Sequence, residues 1–169
     1  THVQGFDTCA GCHDAHALSV KAESCISCHP IVETEADFGL IRLTAGDFDG
    51  DGDETEGING EIETLAEKLY ASIQAYTVEN SLPAILYNAS RYPYWFTDAN
   101  ENGTVDVEDA GYATWTPKLL RAAYNYTCTM KDPGAYAHNG LFMIQVLYDA
   151  IEEIGGDMSG LVRLEVKVP

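Results

Sequence analysis

Apolar residues recur every three to four positions in three stretches of this chain, and they alternate with polar ones near its end. In residues 61–76, Ile62, Leu65, Leu69, Ile73 and Tyr76 share one face of a 3.6-residue period, which predicts an amphipathic helix closed by the 80–83 segment. In residues 116–131, Leu119, Leu120, Ala123, Tyr124 and Cys128 are the expected buried positions, and Pro117 suits the first turn of that helix. In residues 138–154, Leu141, Ile144, Leu147, Tyr148 and Ile151 form the stripe, stopped by Gly155 and Gly156. A further helix is expected to begin over 106–114. Residues 84–97 carry Tyr92-Pro93-Tyr94-Trp95-Phe96 and read as a short strand or hairpin whose rings serve the core rather than a cofactor. The tail 161–168 alternates and predicts a strand, paired within the chain or added to another subunit's sheet edge. Together these patterns predict a mainly α fold with short β elements.

Residues 1–32 follow none of these periods. They are rich in Cys, His, Gly and Asp and cannot build a side-chain core of their own. Residues 31–46 read as a connection, and residues 33–169 form the expected helical scaffold. The chain is 169 residues long, enough for one compact unit with a real core.

The chemistry of the first segment is written twice: Cys9-Ala10-Gly11-Cys12-His13 and Cys25-Ile26-Ser27-Cys28-His29. C-x-x-C-H is the attachment signature of c-type haem. Two thiols three positions apart lie on one side of a short helical turn and can form thioethers to the two vinyl groups of one porphyrin. The following His is then carried to the iron. Four of the five cysteines are used this way. A zinc site built from Cys9, Cys12, Cys25 and Cys28 has compatible spacing, but it gives no reason for a His after both pairs. Haem would supply the apolar mass that the segment lacks, and so short a spacing would hold two porphyrins close to one another. Cys128, the odd cysteine, reads as a small buried hydrophobe.

Five histidines are present. With His13 and His29 as proximal ligands, His2, His16 and His138 remain for two distal positions. The methionines Met130, Met143 and Met158 are weaker candidates. His16 follows His13 by three residues and cannot reach the same iron from the same turn, which assigns it to the haem at Cys25 and Cys28. His138 would clip the C-terminal part onto the haems. His2 is as well suited to a neighbouring subunit's haem as to its own chain.

Two acidic loops add a second chemistry. Asp47, Asp49, Asp51 and Asp53 with Gly52 open in the manner of an EF-hand calcium loop. Ile58 stands where the closing acid belongs, so Glu56 or Glu61 is expected to close the loop. The second loop runs Asp98, Asn100, Asn102, Gly103, Thr104, Asp106 and Asp109, and fits the calcium pattern at every position, with Asp as the closing acid. Sequons occur at Asn88, Asn102 and Asn125, and calcium at the second loop would block the middle one.

The formal net charge is −18. Phosphate contacts need Lys and Arg, so nucleic acid is excluded as a partner. The charge favours bound cations or a cationic partner surface. No apolar run is long enough to span a membrane. Covalent haem attachment occurs outside the cytoplasm, which implies a removed leader and a mature chain in the periplasm or outside the cell.

Three blocks in order, residues 5–18, 47–57 and 131–140, resemble a segment of the large multihaem c-type cytochromes of prokaryotes, which move electrons to or beyond the cell surface. The resemblance covers most of residues 2–156. It implies His13 and His29 as proximal ligands and His16 and His138 as candidate distal ligands. Larger relatives carry more C-x-x-C-H motifs, so missing neighbours would come from other subunits. More loosely, the chain resembles subunits of extracellular cytochrome filaments, in which a His of one subunit ligates a haem of the next, a role His2 would fill. The expectation is an electron carrier with two covalent haems and calcium, exported and self-associating. Its rivals are a dihaem peroxidase or small-molecule reductase with one open iron, and a calcium-dependent scaffold in which haem is secondary.

Overall fold

The computed structural model describes residues 4–42 and 44–164. His2 and the last part of the expected terminal strand lie outside them. The chain is mainly helical, with two small antiparallel sheets.

Three helices make the body: α2 (Ile58–Glu79), α3 (Pro117–Lys131) and α4 (Ala135–Ile154). α2 lies chiefly along α4, and α3 packs against both. The stripe Ile62, Leu65, Leu69 and Ile73 meets Leu119 from α3 and Ile144, Leu147 and Ile151 from α4 in one continuous core. A side chain as enclosed as Leu69 contributes about 1.5–3 kcal/mol through burial alone. α2 extends beyond 61–76 at both ends, because Ile58 is itself buried and starts the helix. Thr116 caps α3 by accepting the Leu119 N–H, with Pro117 in the first turn. Gly155 ends α4 in the left-handed conformation, at φ 88°. α4 is kinked near its start, where Asn139 leaves helical geometry at φ −165°, ψ 69°.

The α3 face differs from expectation at three positions. Leu119 and Ala123 are buried, together with Ala122, Tyr126 and Thr129, whereas Leu120, Tyr124 and Cys128 are exposed. The helix carries apolar residues on two stripes, and the i, i+4, i+8 set is the one turned outward. Cys128 is therefore not a core residue. On α4, Ile144, Leu147 and Ile151 are buried as expected, while Leu141 is exposed and Tyr148 half-buried.

Residues 84–97 form the expected hairpin. β3 (Ile85–Tyr87) pairs antiparallel with β4 (Trp95–Thr97), placing Leu86 opposite Phe96. Trp95 and Phe96 are buried, and the Trp95 ring contacts Tyr70, Tyr87 and Tyr126. No helix follows over 106–114. The chain instead runs extended along β4: Thr97 N–H donates to Ala110 O and Tyr112 N–H to Trp95 O, both at 2.9 Å. The backbone groups a helix would have used internally are spent on the sheet. Gly111 is required there, since a Cβ would lie 2.9 Å from Pro93 Cγ.

The first segment has little regular structure. A single turn, α1 (Cys9–Cys12), leads into a two-residue ladder of β1 (His13–Asp14) with β2 (Ser19–Val20). A 3-10 turn, Glu35–Leu40, carries the chain to the body, its Thr34 and Asp37 forming a reciprocal capping box. Residues 161–164 are not a strand. The Val162 N–H instead donates to Phe48 O, laying the tail across the first acidic loop.

Candidate functional site

Both Cys-x-x-Cys-His motifs close the same backbone hydrogen bond, from the His amide to the first Cys carbonyl. His13 N–H donates to Cys9 O, and His29 N–H donates to Cys25 O at 2.9 Å. Each His is thus set one helical turn beyond its first Cys. The ladder and Lys21 hold the first motif: Lys21 N–H donates to Cys12 O and its ammonium to Ala10 O. Burial raises the Cys25 thiol, reinforced by the nearby Cys12, Glu23 and Cys28.

Not one residue from 4 to 31 is buried, and the first enclosed side chain is Val32. Leu18, Ile26 and Ile31 are exposed within this stretch. A segment of this length without a core needs another source of apolar surface, and two porphyrins attached at Cys9/Cys12 and Cys25/Cys28 fit that need. The thiols are unpaired. Among the described residues, ligand atoms approach in threes within 4.8 Å only in acidic groups. The four cysteine sulfurs therefore do not assemble the tetrahedral set that structural zinc requires.

His138 lies in the first turn of α4. Its ring stands near that of His13, with centroids 6.3 Å apart and planes inclined at 50°. Nδ1 of His138 is 2.9 Å from both carboxylate oxygens of Asp132. His16 sits exposed in the turn between β1 and β2, where its amide donates to Asp14 Oδ1 at 2.8 Å. Asp14 takes a second bond from the Ala17 amide, and these bonds hold its carboxyl below the usual range.

The acidic loops share one scaffold. In each, the first Asp accepts the N–H of the glycine five residues on: Gly52 to Asp47 Oδ2 and Gly103 to Asp98 Oδ2, both at 2.9 Å. Gly52 and Gly103 have φ of 98° and 76°. The third position accepts from the fifth, and the fifth from the seventh, in both loops.

They diverge after that. In the first loop, Asp47, Asp49 and Glu61 bring carboxylate oxygens together, as do Asp49, Asp51 and Glu56. Asp49 and Glu61 have no exposed surface. Oδ2 of Asp49 and Oε1 of Glu56 are buried without a hydrogen-bond partner. Burial first, then repulsion from Asp49, Glu61, Asp51 and Asp53, pushes the Glu56 carboxyl up to about 7. Gly60 makes room for that carboxylate, since a Cβ would lie 1.8 Å from Glu56 Oε2. Glu61 is anchored by the amides of Phe48 and Asp49 and by Arg42 Nη1 at 2.6 Å. Asp53 is engaged by Thr55 instead. Convergent carboxylates, two of which carry an orphaned oxygen, fit a hard cation.

The second loop satisfies itself. Asn100 and Asn102 both direct side-chain N–H groups to Asp106 Oδ2, at 3.0 and 2.9 Å. Asp109 Oδ2 accepts the Asp106 N–H. Asp98 and Asp109 are buried, but the loop forms no carboxylate triad. Thr104 is exposed at the loop's seventh position. Sequence reasoning missed Arg42 and Asp132. Arg42 carries no motif, and only the Asp-Pro-Gly turn before His138 hinted at Asp132.

No protein-family model matches the chain, and no solved structure matches it. Curated relatives do. The chain is 25% identical to C-type polyheme cytochrome OmcC of Geobacter sulfurreducens over 86% of its own length. It is 24% identical to C-type polyheme cytochrome OmcB of the same organism over the same share. In each case it spans 20% of the relative. Over most of its length, the chain is similar to one segment of the larger multihaem c-type cytochromes.

Proposed function

We propose that this chain is an exported electron carrier holding two covalently attached haem c groups, one at Cys9 and Cys12 and one at Cys25 and Cys28. His13 and His29 are the proximal ligands. The distal ligands come from His16, His138 and His2. The observation that carries this reading is the repeated Cys–His turn in a stretch where residues 4–31 bury nothing. Haem supplies the redox centre and the missing apolar mass. The chain's own residues fix its attachment, orient the axial imidazoles and set the local dielectric. Two attachment turns this close keep the two centres within efficient electron-tunnelling range.

Calcium completes the unit. The first loop binds it through Asp47, Asp49, Asp51, Glu56 and Glu61, supported by the orphaned oxygens of Asp49 and Glu56. The second loop is the weaker site. It binds through Asp98, Asn100, Asn102, Thr104, Asp106 and Asp109 after its internal amide–carboxylate bonds give way.

The working form is a homopolymer at or beyond the cell surface, in which His2 of one copy ligates a haem of the next and electrons pass on to other redox proteins or extracellular acceptors. The similarity to a fifth of much larger polyheme cytochromes supports a unit that adjoins further haems. Among the described residues no helix is long and apolar enough to cross a membrane.

Mass spectrometry of the exported protein tests the cofactor content, with two haems per chain expected. Electron microscopy of native material in calcium tests the assembly. A monodisperse monomer with both irons closed within one chain overturns the filament. Carbon monoxide binding to the reduced wild-type protein overturns the carrier in favour of an enzyme with an open iron.

A further inference from the structure

Resting on the haem reading above, we propose that His138 is the axial partner of His13 across one iron, and that Asp132 is the positioning residue that presents the His138 imidazole.

The first argument is distance. A metal–imidazole bond is about 2.0–2.1 Å and the ring centroid lies roughly 1.1 Å beyond the nitrogen, so two trans imidazoles on one ion stand about 6.2–6.4 Å apart, centroid to centroid. The His13 and His138 rings stand 6.3 Å apart. The 50° between their planes is compatible, because each ring turns freely about its own bond to the metal. These two rings come from opposite ends of the chain, and His138 is 57% exposed, so no core packing brings them together.

The second argument is the proton inventory of His138. Asp132 takes Nδ1 from both carboxylate oxygens, and its Oδ1 is itself fixed by the Gly134 N–H at 3.0 Å. That leaves Nε2 as the nitrogen available to a metal. A metal-bound His ordinarily gives its other N–H to a carboxylate, which fixes tautomer and ring orientation and raises ligand basicity. Gly134 clears the space, since a Cβ there would lie 3.0 Å from Cε1 of the ring and 3.2 Å from Nε2. The kink at Asn139 follows directly, so the turn carrying His138 is aimed independently of the rest of α4.

The pairing also says what holds the first segment on the body. One coordination axis joins the turn after Cys12 to the head of α4, while His16 and His2 remain for the haem at Cys25 and Cys28.

The test counts disturbed irons in the full-length, calcium-loaded, haem-loaded chain by resonance Raman spin-state markers and by carbon monoxide bound after reduction. His138→Ala alone and His13→Ala alone each disturb one haem of two. The double variant His13→Ala/His138→Ala still disturbs only one, because both positions belong to the same iron. Two disturbed haems in the double variant overturn the pairing, as does a His138→Ala chain with both haems unchanged. Where loss of His13 blocks attachment, a second pair of variants reads the same point. His138→Ala opens the iron in a Cys25→Ser/Cys28→Ser chain and has no effect in a Cys9→Ser/Cys12→Ser chain. The reverse result overturns the proposal. A wild-type chain without covalent haem by mass overturns the haem reading itself, which is a separate outcome.

Asp132 is read from potentials. Asp132→Asn removes the charge behind the imidazole and raises the midpoint of one haem while leaving the other in place, and Asp132→Glu restores it. Equal movement of both haems, or of neither, overturns the positioning role.

Discussion

Oε2 of Glu61 accepts the backbone N–H of Asp49 at 2.9 Å, tying the first turn of α2 to the middle of an acidic loop. The other oxygen of Glu61 meets Arg42, which is only 9% exposed. Removing Arg42 leaves a buried carboxylate uncompensated. Arg42→Met is expected to cost about 3–5 kcal/mol in denaturant unfolding without calcium. The double variant Arg42→Met/Glu61→Gln should recover part of that loss, because the neutral amide still accepts from the loop. A double variant as unstable as the sum of the singles would show that the pair does not act as a unit.

Glu56 gives the calcium-free protein an inverted pH dependence. Its carboxyl titrates at about 7 in the folded chain and near the ordinary carboxylate value when unfolded, so the folded state holds the proton longer. The stabilisation is fully present below the unfolded value and is lost as pH rises toward about 7. Thermal melts in chelator should therefore fall across roughly pH 4.5–7. Glu56→Gln should flatten that slope.

Calcium should distinguish the two loops. Asp49→Asn removes charge from the fully buried carboxylate shared by both acidic triads, and it is expected to weaken the tighter site on the order of tenfold or more. Asp106→Asn, in the loop already closed by Asn100 and Asn102, should affect only the weaker site. Titration calorimetry on each variant checks the assignment, and a tighter site lost with Asp106 instead would reverse it.

Leu147 is fully enclosed among the three helices, and Leu147→Ala should cost about 2–5 kcal/mol. The haem spectrum should stay unchanged up to the unfolding transition, because Leu147 touches the core rather than the Cys–His turns. A changed spectrum in the native baseline would place the core in contact with the haems.

The elements that were legible in the sequence are those whose pattern had one solution. α2 has one apolar stripe, and its position was readable to within a few residues at each end. α3 has two stripes. Nothing in its own period says whether Leu119 or Leu120 meets α2, and the decision belongs to helices distant in sequence. The extended 109–112 stretch was hidden for a similar reason, since its backbone partners lie in β4. In the site, the Cys–His spacing and the loop carboxylates are local and were readable. Glu56 and Glu61 were the two readings for the end of the first loop, and the structure brings the carboxylates of both to Asp49. Arg42 beneath Glu61 was not readable, because it acts through an approach made only in three dimensions.

The unenclosed stretch before Val32 also bears on how the molecule is made. The helical body owns its core, whereas residues 4–31 bury no side chain to collapse around. On the proposed haem reading, an attachment enzyme would meet both Cys–His turns unburied, beside a body that has its own core. On that reading this difference would order maturation, with thioethers formed first and the coordination that joins the two parts last. A fold that had buried its own cysteines would have shut that enzyme out.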